Sequence, residues 1–175
     1  MRKAYTMIED IQDTLESEYG YDGEPDTTDT AHGLYSNLRV EKRDKQTDVL
    51  EEAQEVKNII TNDGADLVRD AIGNSPHTSA FRWTAIGDSA SAFASADGTL
   101  NNEVARSANA FNTTSNFGQF SNVTTFTNVA ATVRESGLFN RGTGGTMLAA
   151  QTFGDITLTT NDKLEVIWKV YFSEV

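Results

Sequence analysis

The stretch "VRESGLFNRGTGGTMLAAQTF", residues 133–153, sets apolar pieces of strand length on either side of Gly142, Gly144 and Gly145. A phosphate cradle needs glycines that let the backbone approach the ligand, followed by a helix N-terminus that supplies aligned N–H groups. "RGTGGT" (141–146) lacks the Gly-Lys-Ser/Thr ending of a P-loop, and the residues after it end in β-branched and aromatic side chains. Gly-Gly between apolar runs is instead a turn signal, so the segment reads as a hairpin or bulged turn.

Outward from this hairpin the grammar stays that of strands. "FRWTAIG" (81–87) alternates, "FGQFSNVTTFTNVAATVRESGLFN" (117–140) and "TMLAAQTFGDITLT" (146–159) are strand-like, and "KLEVIWKVYFS" (163–173) alternates throughout. In the last of these Leu164, Val166, Trp168, Val170 and Phe172 share one face. Ile167 and Tyr171 make the other face bulky too, which predicts a central strand. Several short strands with polar turns over the second half of the chain predict an antiparallel β-sandwich, giving a mainly β fold with N-terminal helices.

The first 55 residues read differently. "KAYTMIEDIQDTLESEYG" (3–20) places Ala4, Met7 or Ile8, Ile11 and Leu15 at three- and four-residue spacings among carboxylates, one narrow apolar stripe on a helix of about four turns. Such a stripe docks either on its own domain or on another subunit, and Met7, Ile8, Ile11 and Leu15 are the candidate oligomer interface. "GYDGEPDTTDTAHG" (20–33) reads as a linker. Its Asp22, Glu24 and Asp26 alternate as in a calcium loop, but Thr27 and Gly33 stand where that loop needs Gly and Glu, so no metal site is expected. The stretch from Leu34 is mixed. Asp48 with Glu51 suggests a capping box and a short helix to Glu55, "VKNIIT" (56–61) a strand, and "NDGADLVRDAIG" (62–73) a second helix. That helix has an Asn or Asp cap, an apolar face of Ala65, Leu67 or Val68, Ala71 and Ile72, and Gly73 as its stop. The expected organisation is an acidic arm and linker over 1–55 and a sandwich over 56–175.

The 175 residues carry a formal charge of -12 and no cysteine, which leaves no disulfide framework or thiolate metal site. Residues 1–55 hold 15 acidic and six basic side chains. The acidic balance argues against nucleic acid or an anionic membrane as partner, and no apolar run has the length of a membrane span or the form of a signal peptide. A surface this acidic suits a halophilic source as well as a mesophilic one, because salt screens its self-repulsion.

Catalytic constellations are thin. His32 and His77 belong to polar segments far apart in sequence, and "GDSAS" (87–91) resembles an esterase block without the late Asp-x-x-His such enzymes need. No enzyme activity and no cofactor is expected. Sequons at Asn112 and Asn122 read as surface-loop motifs.

From residue 56 the ordered signals resemble the N-terminal domain of tail-collar fibre proteins and related small virion proteins of tailed viruses. The matching residues are Thr61 and Gly64, Ile86 to Asp88, Leu100, Glu103 and Arg106, then Glu135, Gly137, Leu138 and Phe139, closed by the alternating strand 164–173. A tail-collar fibre continues into a shaft, whereas this sequence stops after the alternating strand and adds residues in front, which suits a compact building block with a docking arm. The resemblance implies a non-enzymatic virion component of the tail, collar or baseplate. Such a component is a homo-oligomer docked to other virion structural proteins and assembled in the host cytoplasm. A capsid decoration or vertex turret is the alternative position. A carbohydrate- or receptor-binding sandwich is the alternative function, with host surface glycans met by Trp83, Trp168 and Tyr171. In this reading Arg134 and Glu135 begin a turn, Leu138 and Phe139 are core, and "RGTGGT" is an exposed tip that returns Met147 and Leu148 antiparallel.

Overall fold

The side chains of β10 (Asp162–Phe172) alternate in burial, with Leu164, Val166, Trp168 and Val170 fully buried and Lys169 exposed between them. This computed structural model describes residues 33–73, 80–108 and 119–172 and the backbone of 111–112, all within the unit Ala31–Val175. The expected N-terminal helix with Met7, Ile8, Ile11 and Leu15 lies outside the described residues, as do His32 and His77.

Strand β10 is the middle of a five-stranded sheet ordered β2-β1-β10-β7-β6, as its two bulky faces predict. The flanking strands are β1 (Leu34–Asp44), β2 (Leu50–Lys57), β6 (Phe111–Asn112) and β7 (Gln119–Thr127). A second five-stranded sheet runs β3-β9-β8-β4-β5, from β3 (Ile59–Ile60), β4 (Trp83–Gly87), β5 (Glu103–Ala108), β8 (Thr132–Phe139) and β9 (Met147–Thr157). Every strand pair is antiparallel. One core joins the two sheets in a sandwich-like arrangement: Leu38, Val40, Phe126, Leu164, Val166 and Trp168 from the first meet Ile86, Val133, Leu138, Leu148 and Ile156 from the second.

The sheet takes in Leu34–Lys57, of which the sequence assigns residues 34–55 to the arm and linker. The helix expected from Asp48 to Glu55 is strand β2 instead, pairing with β1 from Asn37↔Lys57 to Arg43↔Leu50. Asp48 has φ 61° and sits in the β1–β2 turn rather than at a helix cap. Ladder pairing overrides the helix propensity of the Leu-Glu-Glu-Ala-Gln-Glu run. β2 is an edge strand, and its Gln54 side chain reaches across to the other sheet. There it accepts from Gly154 N at 2.8 Å and donates to Gly154 O at 3.3 Å.

The one helix among the described residues, α1 (Asn62–Gly73), stands where expected but is capped differently. Thr61 is the cap: its Oγ1 accepts from Gly64 N at 3.1 Å and also donates to Met147 O, while its carbonyl accepts the first helical bond from Ala65. Leu67 and Val68 pack on the core, whereas Ile72, expected on the apolar face, is 82% exposed. No described helix is long and apolar enough to cross a membrane.

Candidate functional site

The glycine segment is the β8–β9 hairpin tip. Gly144 and Gly145 have φ of 57° and 80°, the left-handed conformations that glycine adopts without a Cβ penalty. Asn140 Oδ1 closes the loop by accepting from Thr146 N at 2.8 Å. Leu138, Phe139, Met147 and Leu148 are buried, as expected. Arg134 and Glu135 do not begin a turn: both lie inside β8, and Glu135 is fully buried.

Burial of Glu135 has a definite cause. Its carboxylate accepts three hydrogen bonds from the end of the β4–β5 connection: Asn101 N at 3.2 Å, Asn101 Nδ2 at 3.1 Å and Asn102 N at 2.7 Å. Backbone donors aimed at a carboxylate offset its desolvation. A Cβ on Gly87 would lie 2.3 Å from Glu135 Oε1 and 2.4 Å from Asn102 O, so this close approach requires glycine. The connection carries Phe93 and Leu100, which pack with Ala85, Phe139, Met147 and Ala150 in a second, smaller core on the outer side of the second sheet. Arg106 completes the closure. Its guanidinium lies 3.7 Å over the Phe139 ring, pairs with Glu103, and donates to the tip carbonyls of Arg141 and Gly144 at 2.9 and 2.8 Å.

Many of the residues that carry the resemblance are thus brought together, while Ile86 and Leu138 point into the core between the sheets. Gly87, Leu100, Glu103, Arg106, Glu135, Gly137 and Phe139 all meet on this covered face. Thr61 and Gly64 anchor α1 on β9, where a Cβ on Gly64 would come 2.5 Å from Leu148 Cα. The arrangement fixes backbone and excludes water. It presents no converging nucleophile and base: Asp88 Oδ1 accepts from Asn102 Nδ2, and Ser89 Oγ accepts from Ser91 N. Among the described residues no three His, Cys, Asp or Glu side chains group as a metal site.

The outer face of the first sheet has no such cover among the described residues. At one end Tyr35 and Tyr171 stack with centroids 4.7 Å apart, and Ile167 and Val123 stand four residues further along, in cross-strand register. Burial raises the Tyr171 phenol above its ordinary pKa, with Tyr35 and Glu55 adding to the effect. At the other end is an ion ladder. Glu41, nearly buried, receives Arg39 at 2.7 Å and Arg43 at 2.5 Å, and Lys163 reaches Asp48 at 2.6 Å and Glu165 at 3.3 Å. Burial pushes the Glu41 carboxyl upward, but the hydrogen bonds and charges of the two arginines outweigh it and hold the group below the usual carboxylate range.

Two sequence readings of possible recognition sites change. Trp168 is fully buried in the core and cannot stack on a sugar, and the Trp83 ring lies against Gly142 in the hairpin tip. Asn122 is not on a surface loop. It is fully buried in β7, where its Oδ1 accepts from Thr84 and Thr124 hydroxyls at 3.1 and 2.8 Å, so the folded chain does not offer this sequon. The chain matches no family model, no curated protein and no solved structure.

Proposed function

We propose that the protein is a non-enzymatic structural component of a tailed-virus particle, in its tail, collar or baseplate. It works by symmetric self-association and docking to other virion proteins. The observation that carries this reading is the convergence of the matched residues: Gly87, Leu100, Glu103, Arg106, Glu135 and Phe139 lock one loop and one hairpin tip onto the second sheet. An ordered set of motifs with a shared structural task suits a scaffold, and here the task is rigidity. In this reading the acidic residues ahead of Leu34, with the apolar stripe of Met7 or Ile8, Ile11 and Leu15, dock on other subunits. A capsid decoration or vertex turret uses the same chemistry at another place in the particle. A glycan-binding role has less support, because Trp168 is buried.

The test is mass spectrometry and antibody labelling of purified tailed particles from the source culture, together with sedimentation equilibrium of the full chain. Stoichiometric presence in particles and a closed oligomer are expected. Absence from particles, or a monomer at all concentrations, overturns the reading.

A further inference from the structure

We infer that the outer face of the first sheet receives the acidic N-terminal segment of a second copy of this chain, with Lys57 and Lys169 as its anchoring charges. The inference rests on the self-association reading above and adds the receiving surface.

Among the described residues nothing covers the face, and it is mixed in character. Tyr35 and Val123 are 43% and 36% exposed, with Tyr171 and Ile167 half-buried beside them. Lys57 and Lys169 lie in the row between the tyrosines and the Ile167–Val123 row, both opposite Asn37. They stand apart from the other cations of the same face. Arg39, Arg43 and Lys163 each meet a carboxylate, whereas Lys57 and Lys169 are exposed and meet none among the described residues. Two strand spacings of about 4.8 Å put two like charges roughly 10 Å apart in one row. On a chain of net charge -12 that row is a local positive site, with Tyr35 and Tyr171 on one side of it and, on the other, Ile167 and Val123 in the same row as the Arg39–Glu55 pair.

The chain itself contains the complement. Residues 1–32 hold nine acidic and two basic side chains and the stripe of Met7 or Ile8, Ile11 and Leu15. The segment enters β1 at Leu34, next to Tyr35 and the receiving face. Fourteen residues, the number in 20–33, span at most about 46–50 Å when extended, enough to hand the stripe to a neighbour. Two copies that exchange arms close a two-fold dimer, and a head-to-tail exchange closes into a ring if the rotation closes.

The experiment uses the full chain in sedimentation velocity over a concentration series, with salt fixed because the contact is partly ionic. Lys57→Glu with Lys169→Glu is expected to weaken self-association at least tenfold. Adding Asp10→Lys and Glu18→Lys, which border the stripe three residues from Met7 and Leu15, is expected to restore it. Cooperative unfolding at the wild-type midpoint shows that the reversed sheet is intact, and the neutral pair Lys57→Gln and Lys169→Gln is expected to give an intermediate loss. An oligomer unchanged by the reversal, or a loss that the arm exchange fails to repair, overturns the inference while self-association stands. A wild-type chain that is monomeric throughout overturns both.

Discussion

The outer faces of the two sheets are treated in opposite ways by the same chain. The second sheet is roofed by the connection between β4 and β5, whose Phe93 and Leu100 form a private core with Phe139 and whose end is tied to Glu135. The first sheet leaves Tyr35, Val123 and a ladder of ion pairs facing outward. Alternation alone does not separate the two, since each sheet is built of strands with one inward and one outward row. A stretch of chain long enough to fold back makes the difference. The roofed face spends its buried charge on internal hydrogen bonds, and the open face leaves two lysines without a carboxylate partner among the described residues.

The contrast predicts a graded response to substitution. Phe139→Ala removes a side chain buried in the roofed core and is expected to cost about 3–5 kcal/mol of unfolding free energy, measured by urea titration. A neutral result would show that the roof can lift without consequence. Glu135→Gln keeps the shape but puts an amide group against the Asn101 or Asn102 donors, and about 1.5–3 kcal/mol is expected, the worth of a hydrogen bond to a charged acceptor. Proteolysis within 88–102 is expected to accelerate in the same variant while the first sheet stays protected.

Acid sharpens the comparison from the other side. Asp162 is held below its ordinary pKa first by the Thr159 N–H, Asp48 by Lys163, and Asp44 by the Thr47 N–H. Folded values below the unfolded ones mean that this stabilisation is complete above about pH 4 and is lost as the pH falls through the folded values. As far as these groups are concerned, the unfolding midpoint is expected to be independent of pH near neutrality and to drop in acid, with a shallower drop for Asp162→Asn. An acid limb identical in that variant would exclude Asp162 as a contributor. The smallest effect belongs to the open face: Val123→Thr is expected to change stability by no more than about 0.5 kcal/mol. A larger loss in the isolated chain would mean that the face is covered in the monomer.

How far the sequence reveals this molecule depends on how local each signal is. The β8–β9 hairpin, the central position of β10 and helix α1 are legible because their causes lie within a dozen residues: glycines between apolar runs, two bulky faces, a helical stripe. β2 is misread because Asp48, Glu51 and Glu55 mimic a capped helix, while the partner that makes it a strand is β1. β1 itself hides its alternation by turning Ser36 and Lys42 inward and an Arg-Glu-Arg ladder outward. Glu135 looks like a turn residue because the donors that justify its burial are 33 and 34 positions away. Trp168 and Asn122 carry motifs associated with surfaces, and only the strand register shows that both point into the core.

Gln54 has a consequence for behaviour in concentrated solution. Beyond the two residues paired with β3, the free side of β9 is an edge with hydrogen-bonding groups that could take up any extended segment passing by. The Gln54 amide occupies both groups of Gly154, offering an acceptor and a donor as a neighbouring peptide unit would. One side chain thus acts as a stopper against strand invasion. Its loss is expected to surface as slow fibril growth at high protein concentration well before any change in thermal unfolding.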